Sequence, residues 1–195
     1  VLFGIADEER AAKVISSMPV GEFGPPIFSP QIVSQPDYHN NGVWPYVTSF
    51  WGKAAAKVGN ETALMHALAC NVRTASIYAT NYENYSFNTG SPYTTQINSP
   101  NMLWGLSGFM GLFHRTFFGL EFTKEGLALK PFVPTVLAGT RKLEAFPYRG
   151  MKLDITVSGS GNEIASCLVD GKEAEAFIPA DWTGNHSIEI VMKGE

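Results

Sequence analysis

The spacing of apolar residues changes near residue 120. Before this point, apolar side chains recur every three or four positions, which is typical of amphipathic helices. After it, they alternate with polar side chains every second position, as in half-buried strands. The pattern therefore predicts two domains, a helical one over residues 1–119 and a strand-rich one over residues 120–195.

Local start and stop signals divide the first part into four helices. Asp7 and Asn60 are suitable N-caps, and Ser99 followed by proline is a third start signal. The fourth helix is apolar on nearly every side, which predicts that it is buried on most of its surface. The predicted helices are Asp7–Met18, Pro45–Val58, Glu61–Ala79 and Pro100–Phe118.

Short alternating segments separated by glycine-rich turns fill the second part. Several strands at such close spacing predict a β-sandwich module. The predicted strands are Leu127–Pro131, Val136–Ala138, Lys142–Tyr148, Met151–Ser158, Ile164–Val169, Glu173–Ile178 and Ser187–Met192.

Two long connections, residues 19–44 and 80–100, precede the second and fourth helices. Their prolines and glycines exclude regular structure, but their aromatic and apolar content argues against disorder. Long ordered loops in a compact domain are usually functional. Because the second and fourth helices are expected to point the same way, both loops should lie on one face, where we expect a site.

Composition narrows the chemistry of that site. Aromatic residues make up 12% of the chain and charged residues only 16%, against an average of roughly 25%. Sugar-binding clefts use such aromatics as stacking surfaces. The net charge of −4, without a basic block, argues against a nucleic-acid partner, and no apolar run approaches the roughly 18 residues of a membrane span. Cys70 and Cys167 are expected to be buried free thiols.

The first loop ends in a turn rich in hydrogen-bonding and aromatic groups, Asp37 to Pro45. As a sugar site, Tyr38 or Trp44 would stack on the ring, and His39 and Asn40 would bind hydroxyls. The alternative is a loop whose polar groups satisfy one another and cap the following helix. The four histidines lack metal-ligand spacing, so neither a metal nor another cofactor is predicted.

Glu83 is the only acidic residue between Glu61 and Glu121. Apolar surroundings raise the pKa of a carboxyl group and can suit it to act as a general base. A surface glutamate without a role is the alternative. The sequence has no nucleophile elbow and no supported Cys–His pair, so it does not predict a nucleophilic triad.

Two segments resemble a known family. Residues 38–45, YHNNGVWP, are similar to a Tyr-His-Asn-Gly-x-x-Trp-Pro segment of (α/α)6-toroid glycosidases, including the glucosidase part of glycogen-debranching enzymes. Residues 83–90, ENYSFNTG, followed by NMLWGL at 101–106, resemble the segment of family 63 glycoside hydrolases that carries the general base.

This resemblance implies an α+β chain in which the last helical hairpins of an (α/α)6 toroid precede a C-terminal β-sandwich module. It implies cleavage of a glycosidic bond, α-glucoside-like, with inversion of configuration. Glu83 would be the general base, and the general acid, an aspartate, would lie outside the chain. The side chains that bind substrate would be Tyr38, His39, Asn40, Trp44, Tyr85 and Trp104.

The resemblance also implies two partners, an oligo- or polysaccharide substrate and the remainder of a parent polypeptide. Self-association with a second copy of the chain is expected through the apolar fourth helix. The chain starts at Val1, without an initiator methionine and almost directly on a helix. We therefore expect a cut or processed product that is inactive alone, with a periplasmic or secreted parent favoured; a mature protein whose signal was removed is the alternative. The alternatives are a non-catalytic carbohydrate-binding module or scaffold, and a purely structural domain.

Overall fold

The computed structural model describes residues 1–194. The chain divides into two compact units, Val1–Leu112 and Phe113–Glu195. Residues 1–194 form four α-helices, one short 3-10 helix and three β-sheets, which together make a small α+β fold.

The helices of the first unit begin where the sequence places polar caps. α1 is Glu8–Ser17, and the carboxylate of Asp7 accepts a hydrogen bond from the backbone N–H of Arg10 at 2.8 Å. α2 is Pro45–Lys57, with its proline at the first position. α3 is Glu61–Tyr78, and Asn60 caps it by accepting from the N–H of Ala63 at 3.0 Å. These three predictions are confirmed within one residue at each end.

α2 and α3 form an antiparallel hairpin across a three-residue connection. The two helices approach closely because Gly52 carries no side chain: a Cβ built there would lie 2.9 Å from the Cβ of Ala67. One turn further, the buried Asn71 amide donates to the hydroxyl of Ser49 at 2.9 Å. The interface between α2 and α3 therefore contains small residues that allow close approach and one buried hydrogen-bonded pair, Asn71 and Ser49.

α4 is Leu103–Thr116, which begins in the first unit and ends in the second. It starts three residues later than predicted because Asn101 adopts a left-handed conformation, with φ of 55°, that a helix cannot continue. The prediction that this helix is buried on most sides is also wrong. One face is exposed, formed by Leu103, Trp104, Leu106 and Met110. Self-association through this face stays a prediction.

Eight strands make two sheets in the second unit. A three-stranded sheet has the order β3-β4-β9, and a five-stranded sheet has the order β5-β6-β10-β7-β8. The strands are β3 (Leu120–Phe122), β4 (Gly126–Leu129), β5 (Thr140–Tyr148), β6 (Met151–Ser158), β7 (Ser160–Val169), β8 (Lys172–Glu173), β9 (Phe177–Pro179) and β10 (Gly184–Gly194).

Alternation along β6 and β10 supplies the core of this unit. In β6 the side chains of Leu153, Ile155 and Val157 are at most 1% exposed, and lysine, aspartate and threonine alternate with them. Ile188 and Ile190 of β10 are equally buried. β10 runs parallel to β6 and antiparallel to β7, so the larger sheet is mixed.

The predicted fold class is wrong. Four helices and three sheets over residues 1–194 form a small α+β fold, not the last hairpins of an (α/α)6 toroid followed by a β-sandwich. The identification with toroid glycosidases is wrong for the same reason. The similar segments are short stretches of loop and helix start, and such stretches determine local turns rather than the arrangement of helices.

Smaller differences have local causes. Val136–Ala138 is not a strand, because residues Thr135–Leu137 form a 3-10 helix after Pro134. The predicted strand Glu173–Ile178 is divided between β8 and β9, which belong to different sheets. The two-residue strands β1 (Gly42–Val43) and β2 (Tyr85–Ser86) were not predicted, since two residues carry no periodicity. No helix among the described residues has the length and hydropathy to cross a membrane.

Candidate functional site

A small antiparallel sheet joins the two long loops of the first unit. β1 pairs with β2 in the register Gly42 to Ser86 and Val43 to Tyr85. Backbone bonds extend the contact on both sides: Phe87 N–H donates to the carbonyl of Asn41 at 2.8 Å, and Gln96 N–H donates to that of Asp37 at 2.7 Å. Candidate residues that are distant in sequence therefore lie side by side.

A tight turn places the first-loop residues. Asn41 has φ of 53°, a conformation that asparagine tolerates. Gly42 is required next, because a Cβ there would collide with the carbonyl oxygen of Tyr38 and the ring of Trp44. The backbone N–H of Tyr38 donates to the carbonyl of Asn40 at 2.9 Å and closes the turn.

Tyr38 and Glu83 meet across the two loops. The Tyr38 hydroxyl donates to Oε1 of Glu83 at 2.9 Å, and both side chains are half-buried. This hydrogen bond is the main reason that the pKa of Tyr38 is raised, and burial and the negative charge of Glu83 add to it. The backbone N–H of Glu83 is held by the carbonyl of Ser99 at 2.9 Å. No described residue pairs with the second carboxylate oxygen of Glu83.

Asp37, beside Tyr38, connects the loops instead of facing a ligand. Its Oδ2 accepts from the Asn41 amide at 2.9 Å and from the Ser86 hydroxyl at 3.2 Å. Asn41 and Ser86 are buried, so these bonds lie largely out of water.

The side chain of Asn40 stabilises its own loop. Its oxygen accepts from the N–H of Ile32 at 2.7 Å, and its NH2 group donates to the carbonyls of Ile32 and Gln35, each at 3.2 Å. Both ends of the amide are therefore engaged. For Asn40, the structure favours the alternative of a self-satisfied loop over direct sugar binding.

Two of the candidate aromatic residues are interior. Trp44 is 4% exposed and Tyr85 is 1% exposed. Rings this deeply buried cannot stack on a sugar at the surface, so both support the site from beneath. His39 lies above Trp44, with centroids 5.4 Å apart and planes 11° apart, and it is exposed. The tilted Tyr38 ring lies 4.4 Å from that of His39.

Trp104 lies at the start of α4, where it stacks on Tyr46 of α2 at 4.4 Å and is 43% exposed. A Cβ built at the neighbouring Gly105 would lie 3.7 Å from both the Tyr82 carbonyl oxygen and the Cβ of Pro45. The starts of α2 and α4 therefore adjoin the loop segment that precedes Glu83. Trp104 itself makes no described contact with Tyr38 or Glu83.

A shallow pocket of about 290 Å³ opens beside Tyr38. Side chains from both loops line it, and sequence reasoning identified only Tyr38, His39 and Asn40 among them. The lining residues that it missed, which no sequence motif marks, are Phe28, Ile32, Gln35, Pro36 and Gln96.

The described residues contain no group of three His, Cys, Asp or Glu side chains arranged to hold a metal ion. The chain matches no protein-family model, and no curated protein is significantly similar to it.

Proposed function

We propose that the first unit binds carbohydrate on the surface formed by Tyr38, His39 and Glu83, and that Glu83 acts there as the general base in hydrolysis of a glycosidic bond. The observation that carries the proposal is the hydrogen bond from Tyr38 to Oε1 of Glu83. It fixes the carboxylate and leaves the second oxygen without a protein partner among residues 1–194.

Exposed aromatic surface accompanies this carboxylate. His39 presents an open ring supported by the buried Trp44, and Tyr38, whose hydroxyl bonds to Glu83, also lines the adjacent pocket. Sugar recognition uses this combination, since a pyranose has an apolar face for a ring and hydroxyls for polar groups. Trp104, exposed and stacked on Tyr46, adds a second aromatic surface at the start of α4.

In the proposed reaction, the free oxygen of Glu83 takes a proton from a water molecule as the water oxygen bonds to the anomeric carbon. The bond from that carbon to the leaving oxygen breaks, and an acid protonates the leaving group. Direct attack by water inverts the anomeric configuration. The acid is not among the residues placed at this site, because Asp37 is engaged by Asn41 and Ser86.

That engagement of Asp37 favours a second candidate function, binding of carbohydrate without cleavage. The same surface would then hold a glycan, and the Glu83 carboxylate would accept a hydrogen bond from a sugar hydroxyl. The two candidates differ in the role of Glu83, not in the location of the site.

A hydrolysis screen with an aryl-glycoside panel and matched oligosaccharides separates the two. Glu83→Gln retains the shape of the side chain and removes its basicity, and Glu9→Gln on the exposed side of α1 is the matched control. The catalytic proposal predicts a rate loss of about 10³-fold or more in Glu83→Gln with binding retained. Binding without turnover in the wild type selects the second candidate, and absence of both rejects the carbohydrate site.

A further inference from the structure

The pocket beside Tyr38 is lined mainly by apolar and amide side chains, with the imidazole of His39 among them. Phe28, Ile32 and the Tyr38 ring give it apolar surface, and Gln35 and Gln96 contribute amides from the two loops. No Lys, Arg, Asp or Glu of the described chain lines it. A ligand in this pocket therefore meets hydrogen-bond donors and acceptors, and His39 is the one lining side chain that can carry a positive charge.

The two glutamine amides are available to a ligand. Neither side chain makes a hydrogen bond with residues 1–194, whereas the Asn40 amide is engaged at both ends. Gln35 belongs to the first loop and Gln96 to the second, and the bond from Gln96 N–H to the Asp37 carbonyl, 2.7 Å, fixes the second loop there. Each amide offers a donor and an acceptor, which suits the paired hydroxyls of a sugar.

Negative charge lies just outside the pocket. Glu83 accepts from the Tyr38 hydroxyl, and Asp37 precedes Tyr38 in the chain. An anionic group bound against Tyr38 would be repelled by these two carboxylates, and no Lys or Arg of the lining would offset that repulsion. The charges thus select against uronate and sulfated rings.

We infer that this pocket is a subsite for one uncharged sugar ring, held by the free amides of Gln35 and Gln96 and selected against anionic sugars. Its volume of about 290 Å³ is at the lower end of small-molecule sites, which suits a single ring rather than several. The inference rests on the proposed carbohydrate site and adds its ligand class and two specificity-determining residues.

The test measures binding of the whole chain to two oligosaccharide series of equal length, neutral hexose oligomers and the corresponding uronate oligomers. Neutral oligomers should bind at least tenfold more tightly at moderate salt. Gln35→Ala and Gln96→Ala should each weaken neutral binding about tenfold, as expected for one lost hydrogen bond in a polar site. Asn88→Ala, an exposed amide on the second loop outside the pocket, is the control and should change nothing.

Gln35→Lys supplies a gain-of-function arm, since a cation at the rim should raise uronate binding relative to neutral binding. Thermal melts verify that each variant is folded. Equal or tighter binding of uronates by the wild type overturns the inference, as does neutral binding that is insensitive to both alanine variants, and either result leaves the wider carbohydrate proposal intact. Failure of both series to bind rejects the proposed function itself.

Discussion

The hydroxyl of Tyr38 donates a hydrogen bond of 2.9 Å to the carboxylate of Glu83 across 45 positions of sequence. The contact exists because strands β1 and β2 pair, which brings the two loops together. The side chains of Trp44 and Tyr85, which follow or belong to these strands, are buried and support them. It gives the carboxylate a fixed orientation at a surface that also carries an exposed imidazole and a pocket.

Removing the charge of Glu83 should lower the pKa of Tyr38. The bond to Glu83 is the largest cause of the raised pKa, because a hydrogen bond that stabilises the neutral phenol disfavours its ionisation. In Glu83→Gln, the phenolate should form at lower pH, as followed by NMR of 13C-labelled tyrosine. Glu9→Gln should leave the titration unchanged, and an unchanged Tyr38 titration in Glu83→Gln would exclude the contact in solution.

Gly42→Ala should destabilise the first unit. The new Cβ would collide with the Tyr38 carbonyl and the Trp44 ring, so the turn must deform, at a cost of about 1–3 kcal/mol. Gly105→Ala is the matched control. Its Cβ would have only ordinary contacts, 3.7 Å or longer, and it lies in α4, so it should be neutral or stabilising by about 1 kcal/mol. Denaturant melts compare the two, and equal effects would contradict the crowding argument.

The stability of the second unit should depend on pH through Asp170 and His186. The two ring nitrogens of His186 lie 2.7 Å from Asp170 Oδ2 and 3.1 Å from the Thr183 carbonyl, so the doubly protonated ring is favoured. The bond to Asp170 raises the pKa of His186, and the same bond lowers the pKa of Asp170.

The directions of the two pKa shifts define the pH range over which this pair stabilises the second unit. The histidine contribution is complete below its unfolded pKa of about 6.5 and is lost as pH rises through the raised folded pKa. The aspartate contribution is complete above about 3.9 and is lost as pH falls. His186→Gln should therefore lower Tm by a few degrees at most near pH 5.5, because the pair is partly exposed, and by less at pH 9. An equal loss at both pH values would contradict this account.

Cys70 should resist alkylation in the folded chain. Its side chain is 2% exposed, and burial raises the pKa of its thiol to about 11, although Arg73 partly opposes this. Few molecules carry the reactive thiolate at pH 8. Peptide mapping by mass spectrometry, which distinguishes Cys70 from Cys167, should show slow labelling of Cys70 in native buffer and rapid labelling in denaturant. Prompt native labelling of Cys70 would show that the α3 contact with the loop at Glu22 opens readily.

Local signals in the sequence were sufficient for much of the secondary structure. Asp7 and Asn60 cap the helices as predicted, and alternation located β6 at its observed bounds, Met151–Ser158. The start of α4 was mispredicted because a Ser-Pro signal cannot show that Asn101 is left-handed. The arrangement of elements was mispredicted because it depends on long-range pairing, such as β6 with β10, which periodicity does not encode.

The same limit applies to the candidate site: the sequence identified residues by type, but not their long-range contacts or their exposure. Residue types marked Tyr38 and Glu83 as candidates, but their contact depends on the β1–β2 register. Exposure could not be predicted from the pattern. Trp44 was a candidate to stack on a sugar and His39 a candidate to bind its hydroxyls, yet Trp44 is buried and His39 is exposed. Gln35 and Gln96 carry no local signal and become candidates only when two loops bring them to one pocket.

The most direct test of the carbohydrate site is an NMR titration of the labelled chain with neutral oligosaccharides, which follows the resonances of His39, Tyr38 and the side-chain amides of Gln35 and Gln96. We predict saturable shifts confined to these groups and their loops, reduced in Tyr38→Phe. Saturable shifts located in the second unit, or the absence of shifts at millimolar sugar, would contradict a carbohydrate site at Tyr38 and Glu83.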